Sequence, residues 1–478
     1  MKKTSLCCKL NESVRNRRIR ALISIKEGDS LKHDFLGRLF SQTRIIALGF
    51  AIMILIGSAL LMLPIASRSG EPAAFMTALF TATSASCVTG LVLADTYTCW
   101  TLFGQGVILV LIQIGGLGFM TIATFFSLLL RRRIGLRERE IMTESINGGQ
   151  IGGIVRRMKN ILKRTAVIEG VGAILLAVRF IPEFGTWKGI YFSIFHAVSA
   201  FCNAGFDLMG EYGAYSSFVP FSNDAYTCLV LIALIVIGGI GFLVWDDVIE
   251  YRFKFRRYHF GTKIVLITTA VLILVPTVMF LILEWNNTLE GMPVWQKIVN
   301  ALFDAVTPRT AGFNTTDTGM LADASKLLTI MLMFVGGSPG STAGGIKTTT
   351  LVVIAVSTIS GVMRKQSAGF LGRRFEKDAL QRAAAVLFTN MSLALTGAFL
   401  ISAVQDLPFL DILFEVFSAI STVGMTTGIT RELSAFSCLV IIFLMYCGRV
   451  GSVSFATALL EKKSRPKVVY PEENIMIG

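Results

Sequence analysis

Four short segments of the chain share one order of residues. Each contains a phenylalanine, a serine or threonine four residues later, and a glycine at or near its end. They read ALFTATSASCVTGL (78–91), SIFHAVSAFCNAGF (193–206), ALFDAVTPRTAGF (301–313) and ILFEVFSAISTVGM (412–425). Their glycines, which lie 115, 107 and 112 residues apart, are Gly90, Gly205, Gly312 and Gly424. This spacing predicts a fourfold internal repeat.

The chemistry that such glycines permit is coordination by backbone oxygen. Because glycine tolerates positive φ, it lets consecutive carbonyls turn the same way. Rings of carbonyls replace the hydration shell of a monovalent cation in a pore, and the negative end of a helix adds to the attraction. The predicted filter residues are Val88, Thr89, Gly90, Asn203, Ala204, Gly205, Thr310, Ala311, Gly312, Thr422, Val423 and Gly424. Close helix packing is the alternative role for any single glycine, but four copies in one context favour the filter.

The elements that must position these segments are apolar helices. The 478 residues are 53% hydrophobic and only 16% charged, and several apolar runs approach or exceed the roughly 20 residues that span a bilayer. Each glycine-ended segment lies between two such runs: 45–64 and 104–130, 164–182 and 226–247, 262–284 and 327–359, and 384–404 and 434–459. The segments themselves, at about 10–14 residues, are too short to span. They are therefore predicted to be half-helices that enter and leave the membrane on one side, which is tolerated where protein or water covers the backbone.

The predicted fold is an all-α membrane protein with eight transmembrane helices. Four tandem repeats of helix, pore half-helix, filter loop and helix surround a pseudo-fourfold pore. The predicted parts are a basic segment 1–44, repeat 1 at 45–160, repeat 2 at 161–260, repeat 3 at 261–380, repeat 4 at 381–460 and a tail at 461–478.

The net charge of +14 reflects topology. Most of the 45 Lys and Arg residues lie in five segments, 1–44, 131–164, 252–263, 364–382 and 462–467. Basic loops of this kind face the cytoplasm, so both termini are predicted to be cytoplasmic in a multi-pass protein of the plasma membrane. This distribution favours contact with membrane lipid and argues against binding of nucleic acid.

One stretch, GGSPGSTAGGIKTTT (336–350), interrupts the second helix of repeat 3 with polar, glycine-rich sequence. It is not a phosphate-binding loop, because Ile346 separates Gly345 from Lys347 and no strand precedes it. A glycine kink is the simpler alternative, but this stretch exceeds what a kink needs. We predict an intramembrane loop that blocks the cavity below the filter. The predicted gate residues are Gly336, Gly337, Ser338, Pro339, Gly340, Ser341, Thr342, Ala343, Gly344, Gly345, Lys347 and Arg449.

Arg449 belongs to this set although it lies in the last helix, 12 residues before Glu461. A cation at that depth costs on the order of 3 kcal/mol, so it requires a partner or a task. Two roles stay open: a structural arginine paired with helix-end carbonyls, or a charge that faces the pore, repels cations and touches the loop. For Lys347 the alternatives are extension to the inner surface and a part in the same barrier.

Among acidic residues, Asp207 is predicted to concentrate cations at the outer mouth, because it follows Gly205 by two positions. Asp304 and Glu415 are interpreted as N-terminal caps of the third and fourth half-helices, and His196 as a packed, hydrogen-bonded histidine. The eight cysteines show no CxxC spacing, so a metal site is not expected. No catalytic cluster is evident, and the chain is predicted not to be an enzyme.

The four repeats, with TPRTAGFNT and GGSPGSTAGGIKTTT, resemble the superfamily of Trk, Ktr and plant HKT potassium transporters over roughly residues 45–460. The resemblance is greatest to the Ktr-type membrane subunit. It implies potassium as the transported ion, a homodimer, and a cytosolic ring of nucleotide-binding regulatory subunits. It implies no cofactor bound by this chain. Sodium as a coupling or activating ion stays open.

Two other functions are compatible with parts of the pattern. One is a sodium-selective or sodium-coupled transporter of the same architecture. The other is a secondary transporter of a small solute that binds at discontinuous helices near the midplane. Fourfold repetition argues against the second.

Overall fold

The computed structural model describes residues 42–118, 153–252, 254–364, 369–376 and 378–451. The chain divides into two compact units, Ile46–Val453 and the combined ends Met1–Ile45 and Ser454–Gly478. The fold below is that of the first unit. Nearly all of the predicted segment 1–44 and the whole tail 461–478 lie outside the described residues, as does the basic stretch 131–152.

The described residues are almost entirely helical. The helices are α1 (Gln42–Leu61), α2 (Phe75–Cys87), α3 (Thr96–Cys99), α4 (Leu102–Leu117), α5 (Ile154–Phe184), α6 (Thr186–Cys202), α7 (Ala225–Gly239), α8 (Phe242–Tyr251), α9 (Phe260–Leu283), α10 (Val294–Val306), α11 (Asp323–Phe334), α12 (Thr348–Val362), α13 (Ala379–Val404), α14 (Phe409–Ile420) and α15 (Ala435–Val450). Two short strands, β1 (Gly369–Phe370) and β2 (Arg373–Arg374), pair in an antiparallel manner.

Helix length and composition agree with a membrane protein. Among the described residues, four helices, α1, α5, α9 and α13, are long and apolar enough to cross a bilayer, and the bent pair of α7 and α8 passes the same test when taken together. The shorter apolar helices are α4, α12 and α15. The outer faces of the long helices carry exposed large apolar side chains such as Leu55, Val178, Ile282 and Phe399, as expected of surfaces in contact with lipid.

The four motif segments form the ends of α2, α6, α10 and α14, which we call the short helices. Each packs against helices of its own repeat: α2 on α4, α6 on α5 and α7, α10 on α9, and α14 on α13 and α15. Each also packs against a helix of the preceding repeat, α2 on α15, α6 on α4, α10 on α7 and α14 on α11. The contacts between repeats therefore form a closed circle.

Local sequence explains where several helices begin. Side-chain oxygens of Thr101, Asp224 and Ser434 accept hydrogen bonds from the first backbone N–H groups of α4, α7 and α15. Such N-caps satisfy donors that have no partner within the helix. Two of the short helices, α10 and α14, follow directly on Pro293 and Pro408.

The continuous helix predicted over 226–247 is wrong, because the structure bends it by 99° between α7 and α8. Gly241 occupies the break with φ of +95°, a conformation that favours glycine. A Cβ atom at Gly241 would lie 2.6 Å from the carbonyl oxygen of Pro339. The run predicted over 327–359 is interrupted by irregular backbone between α11 and α12, within the glycine-rich stretch where the sequence predicts a loop.

Candidate functional site

The four motif glycines lie side by side in a closed ring. A Cβ atom added to each glycine would crowd the carbonyl oxygen of the residue before the next glycine. That oxygen belongs to Ala204 for Gly90 (2.5 Å), to Ala311 for Gly205 (3.0 Å), to Val423 for Gly312 (2.6 Å) and to Thr89 for Gly424. The structure thus brings together residues that are more than a hundred positions apart in the chain.

The backbone of each loop is held in an uncommon conformation. The residue two positions before each glycine also has positive φ: 58° at Val88, 58° at Asn203, 76° at Thr310 and 53° at Thr422. Three of these residues are β-branched, for which a left-handed conformation is rare. Each such residue costs of order 1–3 kcal/mol and persists only where its surroundings enforce it. The loops are therefore held by the fold around them.

The serine or threonine of the motif supplies part of this support. Its hydroxyl lies next to the backbone just before or after the glycine. Ser84 and Ser418 accept hydrogen bonds from the N–H groups of Gly90 (3.0 Å) and Gly424 (3.1 Å), whereas Ser199 and Thr307 donate to the carbonyls of Phe206 (2.6 Å) and Phe313 (2.5 Å). The recurrence of a hydroxyl residue in the motif thus has a structural reason.

In three of the four repeats, the residue after the motif phenylalanine forms a second hydrogen bond that supports the loop. Asp304 accepts a hydrogen bond from the Thr316 hydroxyl (3.1 Å), and Glu415 accepts one from the Thr430 hydroxyl (2.6 Å). The ring of His196 accepts one from the Leu208 N–H (3.0 Å). Each bond ties a short helix to the chain that leaves the loop.

The capping role predicted for Asp304 and Glu415 is therefore wrong. Helix α10 begins at Val294 and α14 at Phe409, so both carboxylates lie well inside their helices. The prediction placed the helix starts too late because it took the motif phenylalanine as the beginning. His196 is packed and hydrogen-bonded, as predicted, since its other ring nitrogen lies 2.7 Å from the Phe192 carbonyl oxygen.

A cavity of about 130 Å³ opens on one side of the glycine ring. All four glycines line it, and so does Asp207. One carboxylate oxygen of Asp207 accepts a hydrogen bond from the Met209 N–H at 2.9 Å. Arg431, which the sequence prediction did not include, also lines the cavity and lies over the ring of Tyr215 at 4.2 Å.

The chain between α11 and α12, residues 335–347, forms a compact loop. Its base is closed by a hydrogen bond from the Gly336 N–H to the Ile346 carbonyl (3.0 Å). Its tip reaches repeat 2, where the Thr342 hydroxyl donates to the Phe201 carbonyl (3.2 Å), one turn of chain before the glycine loop. On the other side, a Cβ atom at Gly344 would collide with the Thr422 hydroxyl. The loop therefore packs directly against the glycine-ended loops of repeats 2 and 4.

Arg449 joins this loop to another helix. Its guanidinium donates to the Thr342 carbonyl at 2.6 Å and to the carbonyls of Gly115 and Gly116 at the end of α4. Lys347 donates to the Ala343 carbonyl at 2.7 Å, within the same loop. Both cations therefore donate to carbonyls of the irregular loop, and Arg449 also donates to carbonyls in the last turn of α4, where regular helical donors are missing.

The sequence prediction missed a carboxylate close to these groups. Glu169, midway along α5, accepts hydrogen bonds from the Gln113 side chain at 3.1 and 3.2 Å. The thiol of Cys202, the last residue of α6, lies 3.9 Å from one Glu169 oxygen. An acidic residue in the middle of an apolar helix is an available signal, because such residues are rare within the bilayer.

The fold is thus a set of apolar helices around a closed ring of glycine-ended loops. The family model described as TrkH, cation transport protein, matches residues 37–468. This chain belongs to that family of membrane cation transporters, which are not enzymes.

Curated relatives match nearly the whole chain. The potassium/sodium uptake protein NtpJ of Enterococcus hirae is 43% identical over 92% of this chain and 97% of its own length. The Ktr system potassium uptake protein B of Bacillus subtilis is 38% identical over 92% of this chain and 97% of its own. Among solved structures, the potassium transporter TrkH of Vibrio parahaemolyticus superposes with a TM-score of 0.69 at 17% identity, covering 89% of this chain and 86% of that one. That similarity concerns the fold alone.

Proposed function

We propose that this chain takes up potassium through a pore whose filter consists of residues 88–90, 203–205, 310–312 and 422–424. The observation that carries the proposal is the closed ring in which each glycine abuts the carbonyl before the next. Backbone oxygens from four sides are the ligands that replace the hydration shell of potassium. The names of the relatives, which include potassium uptake, support the same ion.

Further oxygen ligands are available beside the ring. The hydroxyls of Thr89, Thr310 and Thr422 are buried and have no hydrogen-bond partner in the part of the chain that the structure describes. Buried polar groups normally have partners. A dehydrated cation and its accompanying water are suitable partners for these oxygens.

Residues 335–347 act in this proposal as a gate below the filter. The loop touches the bases of two filter segments, and unwound backbone in the membrane is tolerated where it borders a water-filled cavity. Opening requires the tip to leave Phe201 and Arg449. These few hydrogen bonds, each worth about 1 kcal/mol net, make a barrier that a regulatory partner can shift.

The proposal extends to assembly and topology. Four repeats with eight spanning helices place both termini in the cytoplasm of the plasma membrane, as the distribution of basic residues predicts. A homodimer that docks on a cytosolic ring of nucleotide-binding subunits is part of the proposal, because the sequence motifs resemble those of the Ktr-type membrane subunit. The chain itself binds no cofactor in this proposal.

The experiment is rubidium uptake by cells that lack other potassium uptake systems, with excess potassium or sodium as competitor. We expect potassium to suppress uptake and sodium to do so weakly. Gly205→Ser should reduce this discrimination about tenfold, because a side chain there meets backbone of repeat 3 at 3.0 Å and a left-handed residue other than glycine is strained by roughly 1–2 kcal/mol.

Gly291→Ser is the matched control. Gly291 has φ of +75°, close to the +70° of Gly205, but a Cβ atom there would meet nothing within 4 Å. The control variant should keep the parent's discrimination. Unchanged discrimination in Gly205→Ser, with the protein folded and in the membrane, would overturn the filter assignment.

A sodium-accepting pore is the second candidate function. The name of the Enterococcus relative includes sodium as well as potassium. The same competition assay separates the two, since equal suppression by sodium and potassium in the unmodified protein favours this candidate. Sodium that stimulates rubidium uptake without competing would indicate a coupling or activating ion.

A further inference from the structure

A cleft of about 610 Å³ lies between α5 and the elbow formed by α7 and α8. Along α5 its lining changes character within two turns. Asn160, Lys163 and Arg164 come first, and the apolar Val167 and Ile168 follow. We call this space the elbow cleft. It falls within the range of about 300–1,000 Å³ that is common for ligand pockets.

The two basic residues of the elbow cleft have different surroundings. Arg164 forms an ion pair with Asp246 of α8, which also lies within ion-pair distance of Arg157. Lys163 has no carboxylate within ion-pair distance among the described residues. Among the described residues, the elbow cleft therefore has one positive charge without a carboxylate partner at its polar end.

The rest of the cleft is apolar and open to the side. Val167 is 57% exposed, and Ile237 and Ile240 of the elbow line the opposite wall. Trp245 contributes its ring, while its indole N–H donates to the Ile237 carbonyl at 3.1 Å. A positive charge above an apolar slot has the chemistry of an anionic amphiphile's binding site.

We propose that the elbow cleft binds one anionic phospholipid, with its headgroup at Lys163 and its acyl chain along Val167 and Ile237. Basic residues near an anionic membrane surface contribute about 1 kcal/mol each, and the apolar slot adds burial of the chain. We expect this lipid to come from the inner leaflet, because the basic segment 131–164 faces the cytoplasm in the proposed topology.

A lipid in the elbow cleft is connected to the gate loop, residues 335–347, through the elbow. Directly beyond Ile240, the Phe242 N–H donates to the Gly340 carbonyl of the loop at 2.7 Å. A lipid held between α5 and α8 therefore supports the elbow that contacts the loop. This regulatory step rests on the proposed function, whereas lipid binding itself does not.

The test uses the full-length protein in vesicles and the fluorescence of Trp245. Phosphatidylglycerol with brominated acyl chains should quench this tryptophan more effectively than brominated phosphatidylcholine, with about a fivefold preference for the anionic lipid. Trp245→Phe identifies the contribution of Trp245 to the signal. Lys163→Gln should abolish the preference, and Lys159→Gln, an exposed lysine of the same helix outside the cleft, should keep it.

A second pair of variants tests the slot. Val167→Phe should exclude the chain and weaken quenching by both lipids, whereas Val171→Phe, at a similarly exposed valine one turn further along α5, should not. Equal quenching by the two lipids, or equal loss in the two lysine variants, would overturn the site. Absence of quenching by either lipid would mean that another copy or another segment of this chain fills the cleft.

Potassium flux in vesicles with and without phosphatidylglycerol tests the regulatory step. We expect flux to rise severalfold with the anionic lipid in the parent and not in Lys163→Gln. Selective quenching with flux that ignores lipid would overturn the regulatory step alone. Failure of the proposed function would appear as no potassium flux in any vesicle, with the quenching results unaffected.

Discussion

The glycine-ended loops and the helices that follow them come from the same four repeats, but only the loops are alike in all four. All four loops place a glycine in one ring, and each has positive φ both at that glycine and at the residue two positions before it. The second helices agree in three repeats, because the helical run of α4, α7 and α15 is broken at the equivalent glycines Gly118, Gly241 and Gly451, which all have positive φ. In repeat 3 the chain unwinds into the loop 335–347 instead, and α15 differs from the others in carrying Arg449.

A single position shows how the divergence arises. In three repeats a glycine of the second helix packs against the carbonyl at the end of the short helix: Gly115 on Ser86, Gly238 on Phe201 and Gly448 on Ile420. In repeat 3 the equivalent Gly336 packs against Gly344 of its own loop. The residue after this glycine is again a glycine in repeats 1, 2 and 3 (Gly116, Gly239 and Gly337), whereas in repeat 4 it is Arg449.

This difference has a physical reason in the proposed function. A ring of ligands needs every quadrant, so a change in one loop disturbs the ion in all four. A barrier across a pore needs only one element, and the other repeats need only make room for it. Variants of the ring and of the barrier can therefore test whether the two are separable.

Substitutions within the ring should follow the crowding at each glycine. Gly424→Ala and Gly90→Ala should reduce potassium discrimination about thirtyfold, because the added methyl group meets a backbone oxygen at 2.5 Å or closer. Gly205→Ala, where that distance is 3.0 Å, should lose about fivefold. Backbone strain of roughly 1–2 kcal/mol is common to all three. Rubidium uptake with sodium competition measures this order, and equal losses would contradict it.

Shortening the loop should change flux and leave discrimination intact. Deletion of residues 340–343 removes the contacts of Thr342 but keeps the pairing of Gly336 with Ile346. Flux without the regulatory partner should rise about tenfold, consistent with a typical coupling of 1–3 kcal/mol between states. Thr342→Val, which removes only the hydroxyl, is the milder companion variant. Loss of transport by a folded, membrane-inserted deletion variant would indicate a structural loop.

Two variants of Arg449 can distinguish electrostatic repulsion of the permeating cation from anchoring of the loop 335–347. Gln removes the charge and the fork of donors, whereas Lys keeps the charge and loses the fork. Because Arg449 donates to both Thr342 and Gly116, we expect flux to rise about fivefold in Arg449→Gln and about twofold in Arg449→Lys. If flux in Arg449→Lys equals that of the parent, repulsion is the only role of Arg449. If flux in Arg449→Lys equals that of Arg449→Gln, anchoring is the only role. No change in either would make Arg449 purely structural.

The hydrogen bond between Glu415 of α14 and Thr430 should affect stability more than flux. Glu415→Gln weakens the hydrogen bond from Thr430 and should lower the free energy of unfolding by about 1 kcal/mol, with flux changed less than twofold. Thr430→Val and the double variant complete a cycle that isolates the pair. Thermal unfolding of purified protein is the measurement. Additive effects in the double variant would show that the two side chains are not coupled.

Much of the fold was predictable because its signals are local. Apolar runs show where helices can cross a bilayer, and a repeated Phe–Ser/Thr–Gly order marks equivalent places in the chain. Membership in the family of cation transporters is confirmed by the comparisons. The eight-helix count, the gate and the filter residues stay predictions, to which the ring geometry adds support.

The sequence by itself determined the apolar helices, the four glycines and the hydroxyl residues beside them, because composition and spacing express backbone freedom and hydrophobicity directly. Only the tertiary structure decided what these groups touch. Arg449 donates to the Gly115 carbonyl although the two residues are 334 positions apart in the chain. The bend at Gly241 likewise depends on its contact with Pro339 of a distant segment. A helix start such as that of α10 was also misplaced, because packing and proline set it ahead of the motif. Local patterns predict which elements can form, and long-range packing selects their ends and partners.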